Sequence, residues 1–418
     1  MKKDTLVFTN DLGYGKDKGS FEYKSFVQPS VISEVIQSGL DPVDADNEEA
    51  VKNTVDNLLN ELDVTINSKG FNDAENNQKE FLVGNAASTS TLRKQTFDVF
   101  KLEKKYNTDM ALILPLSIAA AKVVQKAYAE GKDIFKGLSA DIDLFTALPI
   151  TQLGTRDTSE KIKSAYAERF TTDNHVVQIN TFNKTISVTL TFNKVYVLKE
   201  GEIATVLAIK YGPDELKQAI MEDVKKNNPT RIDDAKELIE NPQNVLGIDI
   251  GQGTTDCPLI MNGKTNIDAS NTISFGYGQV LENGYRYFNK MSDSFNVGTL
   301  SEFDDILNSD SENKNDIANQ KIVQKAVNAS IPDLNSEISR ELSQILHLDP
   351  SLKVIFVFGG GSIPLMEQTN LRKELQKDLD DYRSSALLIW VGEKYAPILN
   401  NLGLEIYAKV IEGQKKQN

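Results

Sequence analysis

The chain has 418 residues, 46 Lys+Arg against 60 Asp+Glu, and a formal net charge of −14. That length predicts two or three domains, and a hydrophobic share of 40% excludes wholesale disorder. One cysteine, Cys257, and two histidines, His175 and His347, exclude a disulfide framework and a Cys/His zinc site and predict a reducing, cytoplasmic setting. The acidic excess argues against broad capture of nucleic acid or anionic membrane, so contact with DNA would run through an adaptor.

The start, Met1-Lys2-Lys3-Asp4-Thr5, has no apolar stretch of signal-peptide length, and no segment reaches the ~18 apolar residues of a membrane span. Thr5 to Asn10 reads as a strand, Asp11-Leu-Gly-Tyr-Gly15 breaks it, and Phe21 to Gln28 is extended again, which predicts a hairpin with a glycine- and lysine-rich tip. Val51, Val55, Leu58, Leu59 and Leu62 recur at helical spacing, and Asn67 to Glu80, polar and Asn-rich, reads as a surface loop. A core helix is predicted from about Thr108 to Ala129, and a buried strand from Leu144 to Pro149. Val176–Phe182, Thr185–Phe192 and Val195–Leu198 read as three short strands. Helices follow at Asp214–Lys226 and Asp233–Glu240, the second opened by a Thr230-Arg-Ile-Asp233 capping-box pattern.

After Asn241-Pro242 the pattern begins again. Val245 to Asp249 is a strand, Ile250-Gly-Gln-Gly-Thr-Thr-Asp256 a glycine-rich tip, Cys257 to Met261 a returning segment, and Asn262-Gly263 suits a type I′ turn. Ser301 to Lys321 is polar and acidic, an exposed helix and loop. The apolar strand Lys353–Phe358 runs into Gly359-Gly-Gly-Ser362; Leu371, Leu375 and Leu379 then share one helix face, and Gly413–Asn418 reads as a frayed tail.

A strand ending in Asp-x-Gly-x-Gly thus occurs twice, at Asp11 and at Asp249. Glycines let successive backbone N–H groups converge into a concave nest that binds an anion. An adjacent carboxylate would repel a phosphate unless a cation intervened, and a hydrated Mg²⁺ meets that need. Thr254 and Thr255 add hydroxyls at the second tip; Lys16 and Lys18 add positive charge at the first. One such tip alone is an ordinary tight turn, but two, each after an apolar strand, point to phosphate binding. Gly263-Lys264-Thr265 ends like a P-loop, yet Pro258 occupies the position of its first glycine, and neither tip has the third glycine of a dinucleotide fold. The Gly359–Gly361 run could lie flat against a purine or ribose; alone it marks only a sharp turn.

Taken in order, these three segments resemble the phosphate 1, phosphate 2 and adenosine motifs of the actin, Hsp70 and sugar-kinase superfamily, and most resemble the bacterial actin-like plasmid-segregation ATPases of the ParM/StbA type. The resemblance implies an α/β, actin-like two-lobed fold, each lobe a ribonuclease-H-like mixed sheet flanked by helices, with ATP (or GTP) and Mg²⁺ in the cleft between lobes. Asp11, Gly13, Tyr14, Gly15 and Lys18 match the first phosphate loop, and Asp249, Gly251, Gln252, Gly253, Thr254 and Thr255 the second. Asp11 and Asp249 would hold the metal through water, and Gly359, Gly360, Gly361 and Ser362 would pack on the nucleoside. The family's water-orienting acid corresponds to Glu200, with Glu202 its competitor; Lys199 stands where the family usually has Pro, and no ribose-binding acid can be matched.

The implied organisation is lobe I over 1–244 with an inserted helical or loop segment near 36–80, lobe II over 245–380, and a C-terminal segment 381–418 returning to lobe I. Implied partners are further copies in a head-to-tail filament and a basic ParR-type adaptor that carries plasmid centromere DNA, with no membrane. A sugar-type metabolite kinase on the same fold is the alternative, though no acceptor motif is recognisable. An Hsp70-like chaperone would need a large substrate domain after Gly361, but the chain stops at Asn418. A scaffold that binds nucleotide without hydrolysing it sits poorly with the retained Asp11, Asp249 and Glu200.

Overall fold

The structure, a computed structural model, describes residues 5–36, 40–73, 78–98, 104–291 and 295–417; the Met1–Asp4 opening and parts of the 36–80 segment lie outside them. Two compact units form, Met1–Ala208 with Asn400–Asn418, and Ile209–Leu399. The chain therefore changes unit at 208 and again at 399, not at 244 and 380. The helix Asp214–Asn227 belongs with the second sheet because its Asp223 accepts the backbone N–H of Trp390 at 3.1 Å and pairs with Arg372. The C-terminal helix Leu399–Gln417 belongs with the first, where Thr9 Oγ1 donates to Asn401 Oδ1 at 2.7 Å and Lys415 pairs with Asp143, so the tail is helical to Gln417 and not frayed.

In the first unit the strands are β1 Leu6–Leu12, β2 Lys16–Phe21, β3 Lys24–Pro29, β4 Val31–Glu34, β5 Leu62–Asn67, β6 Gln78–Val83, β7 Gln95–Thr96, β8 Leu138–Leu148, β9 His175–Ile179 and β10 Ile186–Lys199. Among the described residues they make one sheet in the order β3-β2-β1-β8-β10-β9-β5-β6-β4-β7. β1 pairs antiparallel with β2 and parallel with β8, which pairs parallel with β10. The three short strands expected after His175 are two, because β10 continues through an irregularity between Phe192 and Lys194. The polar 67–80 stretch is not all loop: β5 and β6 pair antiparallel and extend the sheet beyond β9.

The second unit holds β11 Val245–Ile250, β12 Thr255–Cys257, β13 Leu259–Met261, β14 Lys264–Thr265, β15 Asn271–Ile273, β16 Val354–Phe358 and β17 Leu387–Trp390. β12 and β13 are one path antiparallel to β11, interrupted at Pro258, which has no N–H but whose carbonyl accepts from Gly247 N–H at 2.9 Å. On the other side of β11 lies parallel β16, then parallel β17. Both units thus contain the same sheet order: third strand, second, first, fourth, fifth. Asn262 and Gly263 both have positive φ, 50° and 71°, as the type I′ turn requires. The helix Ile232–Glu240 starts from a 3₁₀ turn at Pro229–Arg231 without the expected side-chain cap.

Each sheet has its own apolar core. In the second, the helix Lys314–Leu348 begins inside the stretch read as exposed and carries a buried stripe of Val323, Val327, Ile331, Leu334, Ile338 and Leu342. In the first, the helix Met110–Ala129 is long and apolar enough to cross a membrane by length and composition alone, but 83% of that window is buried inside the fold. Pro115 within it cannot donate to the carbonyl of Ala111. The buried Tyr166 hydroxyl donates to that carbonyl at 3.2 Å instead.

Tyr166→Phe leaves the Ala111 carbonyl unsatisfied and is expected to cost about 1–2 kcal/mol in urea unfolding. In a Pro115→Ala background, where residue 115 regains an N–H, the same substitution is expected to cost about half a kcal/mol or less; an equal cost in both backgrounds refutes the compensation.

Candidate functional site

The first tip is closed by backbone contacts. Gly13 N–H lies 3.1 Å from the carbonyls of both Asp11 and Lys16, Ser30 N–H donates to Gly15 O at 3.0 Å, and Ser30 Oγ donates to Gly13 O at 2.8 Å. A Cβ on Gly13 would stand 2.6 Å from Lys16 O, which explains that glycine. Asp11 faces Lys18 across the β1–β2 ladder. Burial pushes the Asp11 carboxyl up, and Lys18 and Lys105 act against the rise. Asp17, fully buried on the opposite face of β2, is pushed well up by burial and by Asp11, while Asn10 Nδ2 donates to its Oδ1 at 2.6 Å. Tyr14 is held sideways: its hydroxyl accepts from Gln152 Nε2 at 3.0 Å and its ring meets Phe97 edge-on.

Glu200 follows the last residue of β10, and its N–H donates to Leu148 O at 2.9 Å, at the end of β8. Its side chain is sealed inward, 10% exposed, with Oε1 at 3.5 Å from Lys105 Nζ. The competitor Glu202 is 33% exposed and pairs with Lys199 at 3.0 Å. A solvated charge at a strand end therefore describes Glu202 and not Glu200. Gly201, with φ 74°, turns the chain between them and donates its N–H to Asn400 Oδ1 at 3.0 Å. The residue that sequence reasoning missed is Lys105. It donates to the Leu12 carbonyl and lies over the Tyr14 ring, 5.2 Å from the centroid.

The second tip is fixed differently. The carbonyls of Gly251, Gln252 and Gly253 accept from Tyr277 N–H at 2.9 Å, Gly278 N–H at 2.8 Å and Gln279 Nε2 at 3.1 Å, all at the start of the helix Tyr277–Met291. With those carbonyls turned toward the helix, the N–H groups of the same planar peptides, those of Gln252, Gly253 and Thr254, face the other way. Thr254 Oγ1 donates to Asp256 Oδ2 at 3.1 Å. Thr255 and Ser362 are buried, and their hydroxyls donate inward, to Phe275 O at 2.9 Å and Gly359 O at 2.8 Å.

The glycine run after β16 lies against this tip, since Gly361 N–H donates to Ile250 O at 2.8 Å. Gly359 has φ 89°, and a Cβ there would fall 2.3 Å from Asp249 Oδ1, so its bareness makes room for that half-buried carboxylate. Among the described residues no cluster of three or more His, Cys, Asp or Glu could cage a metal. The donors fit Mg²⁺ held through water by single carboxylates and phosphate oxygens, which needs no protein cage.

No protein-family model matches the chain, and no curated protein does. Solved structures do match over nearly the whole length. They include the actin-like protein Alp7A, 18% identical over 99% of both chains with a TM-score of 0.67. The pCBH ParM non-polymerisable quadruple mutant is 19% identical over 97% of this chain and 99% of that one, TM-score 0.57. Bacillus thuringiensis ParM with ATP is 18% identical over 99% and 100%, TM-score 0.56. The chain has a ParM-type actin-like fold.

Gly359→Ala and Gly360→Ala separate backbone need from open space. The first combines positive φ with a clash on Asp249 and is expected to destabilise by about 1–3 kcal/mol in urea unfolding. The second, with nothing within 4 Å of its added methyl, is expected to stay within about 0.5 kcal/mol of wild type.

Proposed function

We propose that the protein is a cytoplasmic ATPase of the actin-like kind whose subunits add head to tail into filaments under nucleotide control and move plasmid DNA through a basic ParR-type adaptor. The observation that carries the reading is the placement of both glycine tips at the same point of two like sheets, with a sealed glutamate beside the first and a glycine run against the second. Structures of this fold hold ATP in Bacillus thuringiensis ParM, and a non-polymerisable ParM mutant implies a polymerising parent.

In this reading Asp11 and Asp249 would hold Mg²⁺ through water, and the ion would supply charge neutralisation on the phosphates. The N–H groups of the two tips, with Lys18, bind phosphate oxygens and stabilise charge as it develops. Glu200, beside Lys105, accepts a hydrogen bond from the attacking water and holds it in line. Gly360, exposed and unobstructed, lets the backbone approach the nucleoside. Thr255 and Ser362 serve by shaping their loops, because their hydroxyls are engaged inward. Head-to-tail addition is a heterologous contact, which produces open filaments.

Sedimentation with ATP, with ADP and without nucleotide tests the assembly. Polymer is expected with ATP at about ten micromolar protein; turnover accelerated by a sugar, without polymer, favours a metabolite kinase. Glu200→Ala is expected to slow hydrolysis about 10²-fold while ATP-driven assembly persists. Asp249→Ala is expected to weaken Mg²⁺-ATP binding itself, read by titration calorimetry, and unchanged affinity would remove the second tip from the site.

A further inference from the structure

Among the described residues Lys105 is the one buried lysine. An ammonium taken out of water costs several kcal/mol unless acceptors converge on it. The contacts of Lys105 include the Leu12 carbonyl, the Tyr14 ring face at 5.2 Å and Glu200 Oε1 at 3.5 Å, all parts of the candidate machinery, and its charge also acts on the buried Asp11 and Asp17 carboxyls. The lysine itself comes from outside both the first tip and β10, from the 3₁₀ turn Lys105–Asn107.

That turn is bolted in place. Arg169 Nη1 donates to Tyr106 O at 2.7 Å and to Thr108 O at 2.8 Å, and Arg169 Nη2 pairs with Asp109 at 3.2 Å. Thr108 Oγ1 donates to Lys105 O at 2.8 Å. The neighbouring Lys104 Nζ donates to Gln152 O at 3.0 Å, and Gln152 in turn holds the Tyr14 hydroxyl. A cation on so fixed a base is pre-organised, and its side chain is only 3% exposed.

We propose that Lys105 is a positioning residue: a sealed cation that ties the Glu200 carboxylate to the backbone of the first tip, so that Glu200 is aligned to orient water only when that tip is in its phosphate-binding place. The proposal rests on the reading of Glu200 as the water-orienting acid. A lysine that merely balanced buried charge would matter for stability and leave turnover alone. One that fixes a carboxylate acts on turnover more than on nucleotide affinity, because a carboxylate about 1 Å out of line costs on the order of 10²-fold in rate.

The test uses the full chain with Lys105→Met, Glu200→Gln and the double variant. Lys105→Met is expected to slow ATP turnover about 10²-fold while affinity for a non-hydrolysable ATP analogue changes by less than about threefold. The double variant is expected to turn over no more slowly than Glu200→Gln alone and to melt higher than Lys105→Met, since neither charge is left unpaired. Should Lys105→Met fail to fold, Lys105→Gln keeps a donor for the Leu12 carbonyl and carries the same expectation. Wild-type turnover in the lysine variant with slow Glu200→Gln overturns the proposal alone, as does loss of analogue affinity in step with turnover. Wild-type turnover in Glu200→Gln overturns the assignment of Glu200 and the proposal with it.

Discussion

The arrangement depends on what flanks the first strand of each sheet: its hairpin partner on one side, a parallel strand on the other. Parallel neighbours need crossover connections, so their C-terminal ends line up at one edge of the sheet. The hairpin turn of the first strand is at that same edge. In the first unit Asn10 is level with Thr146, and Thr146 with Val197, which carries Glu200 to the height of the Asp11 tip. In the second, Asp249 is level with Phe358, so the glycine run leaves β16 directly beside Asp249. Residues far apart in the chain meet because strand pairing leaves them no other exit.

The two tips handle polarity in opposite ways. Under the second, each carbonyl of Gly251, Gln252 and Gly253 has a donor, so the loop is held by neutral hydrogen bonds. Under the first, two aspartates, a glutamate and a lysine are buried together, and Asn10 Oδ1 and Asp17 Oδ2 are buried without a hydrogen-bond partner. Burial drives Asp11 and Asp17 toward their neutral forms, and Lys18 and Lys105 oppose it in both. A region that accepts such costs is not optimised for stability, and native folds concentrate compromises of this kind where function requires them.

Much of this was legible in the sequence, for identifiable reasons. Glycine and aspartate at a strand end have few interchangeable substitutes, so both tips could be read directly, and the helix Met110–Ala129 was visible because it is apolar on nearly every face. Other features required the fold. Asn193-Lys194 reads as a break, yet β10 runs through it because β8 pairs on both sides of the irregularity. By position Thr255 reads as a phosphate-loop residue and Ser362 as part of the nucleoside contact, and only the carbonyls of Phe275 and Gly359 turn their hydroxyls inward. Lys105 sits in the run Lys101-Leu-Glu-Lys-Lys105, which has the composition of a solvated surface; nothing local marks one of those charges as sealed.

The repeat is also instructive where it fails. The fourth strand of the first sheet, β8, runs into Pro149 and a 3₁₀ turn at Ile150–Leu153, whereas its counterpart β16 runs into Gly359-Gly360-Gly361. The fifth strand β10 delivers Glu200, whereas β17 ends at Trp390, whose indole N–H donates to Ser362 O at 3.3 Å and whose ring stacks against Arg372. Proline and bulky apolar residues at the first fourth-strand exit rule out the close backbone approach that glycine permits at the second. At the second fifth-strand exit Val391 follows β17 where Glu200 follows β10. Two copies of one sheet have thus been given different exits, which assigns the acid–lysine pair to the first unit and the bare backbone to the second.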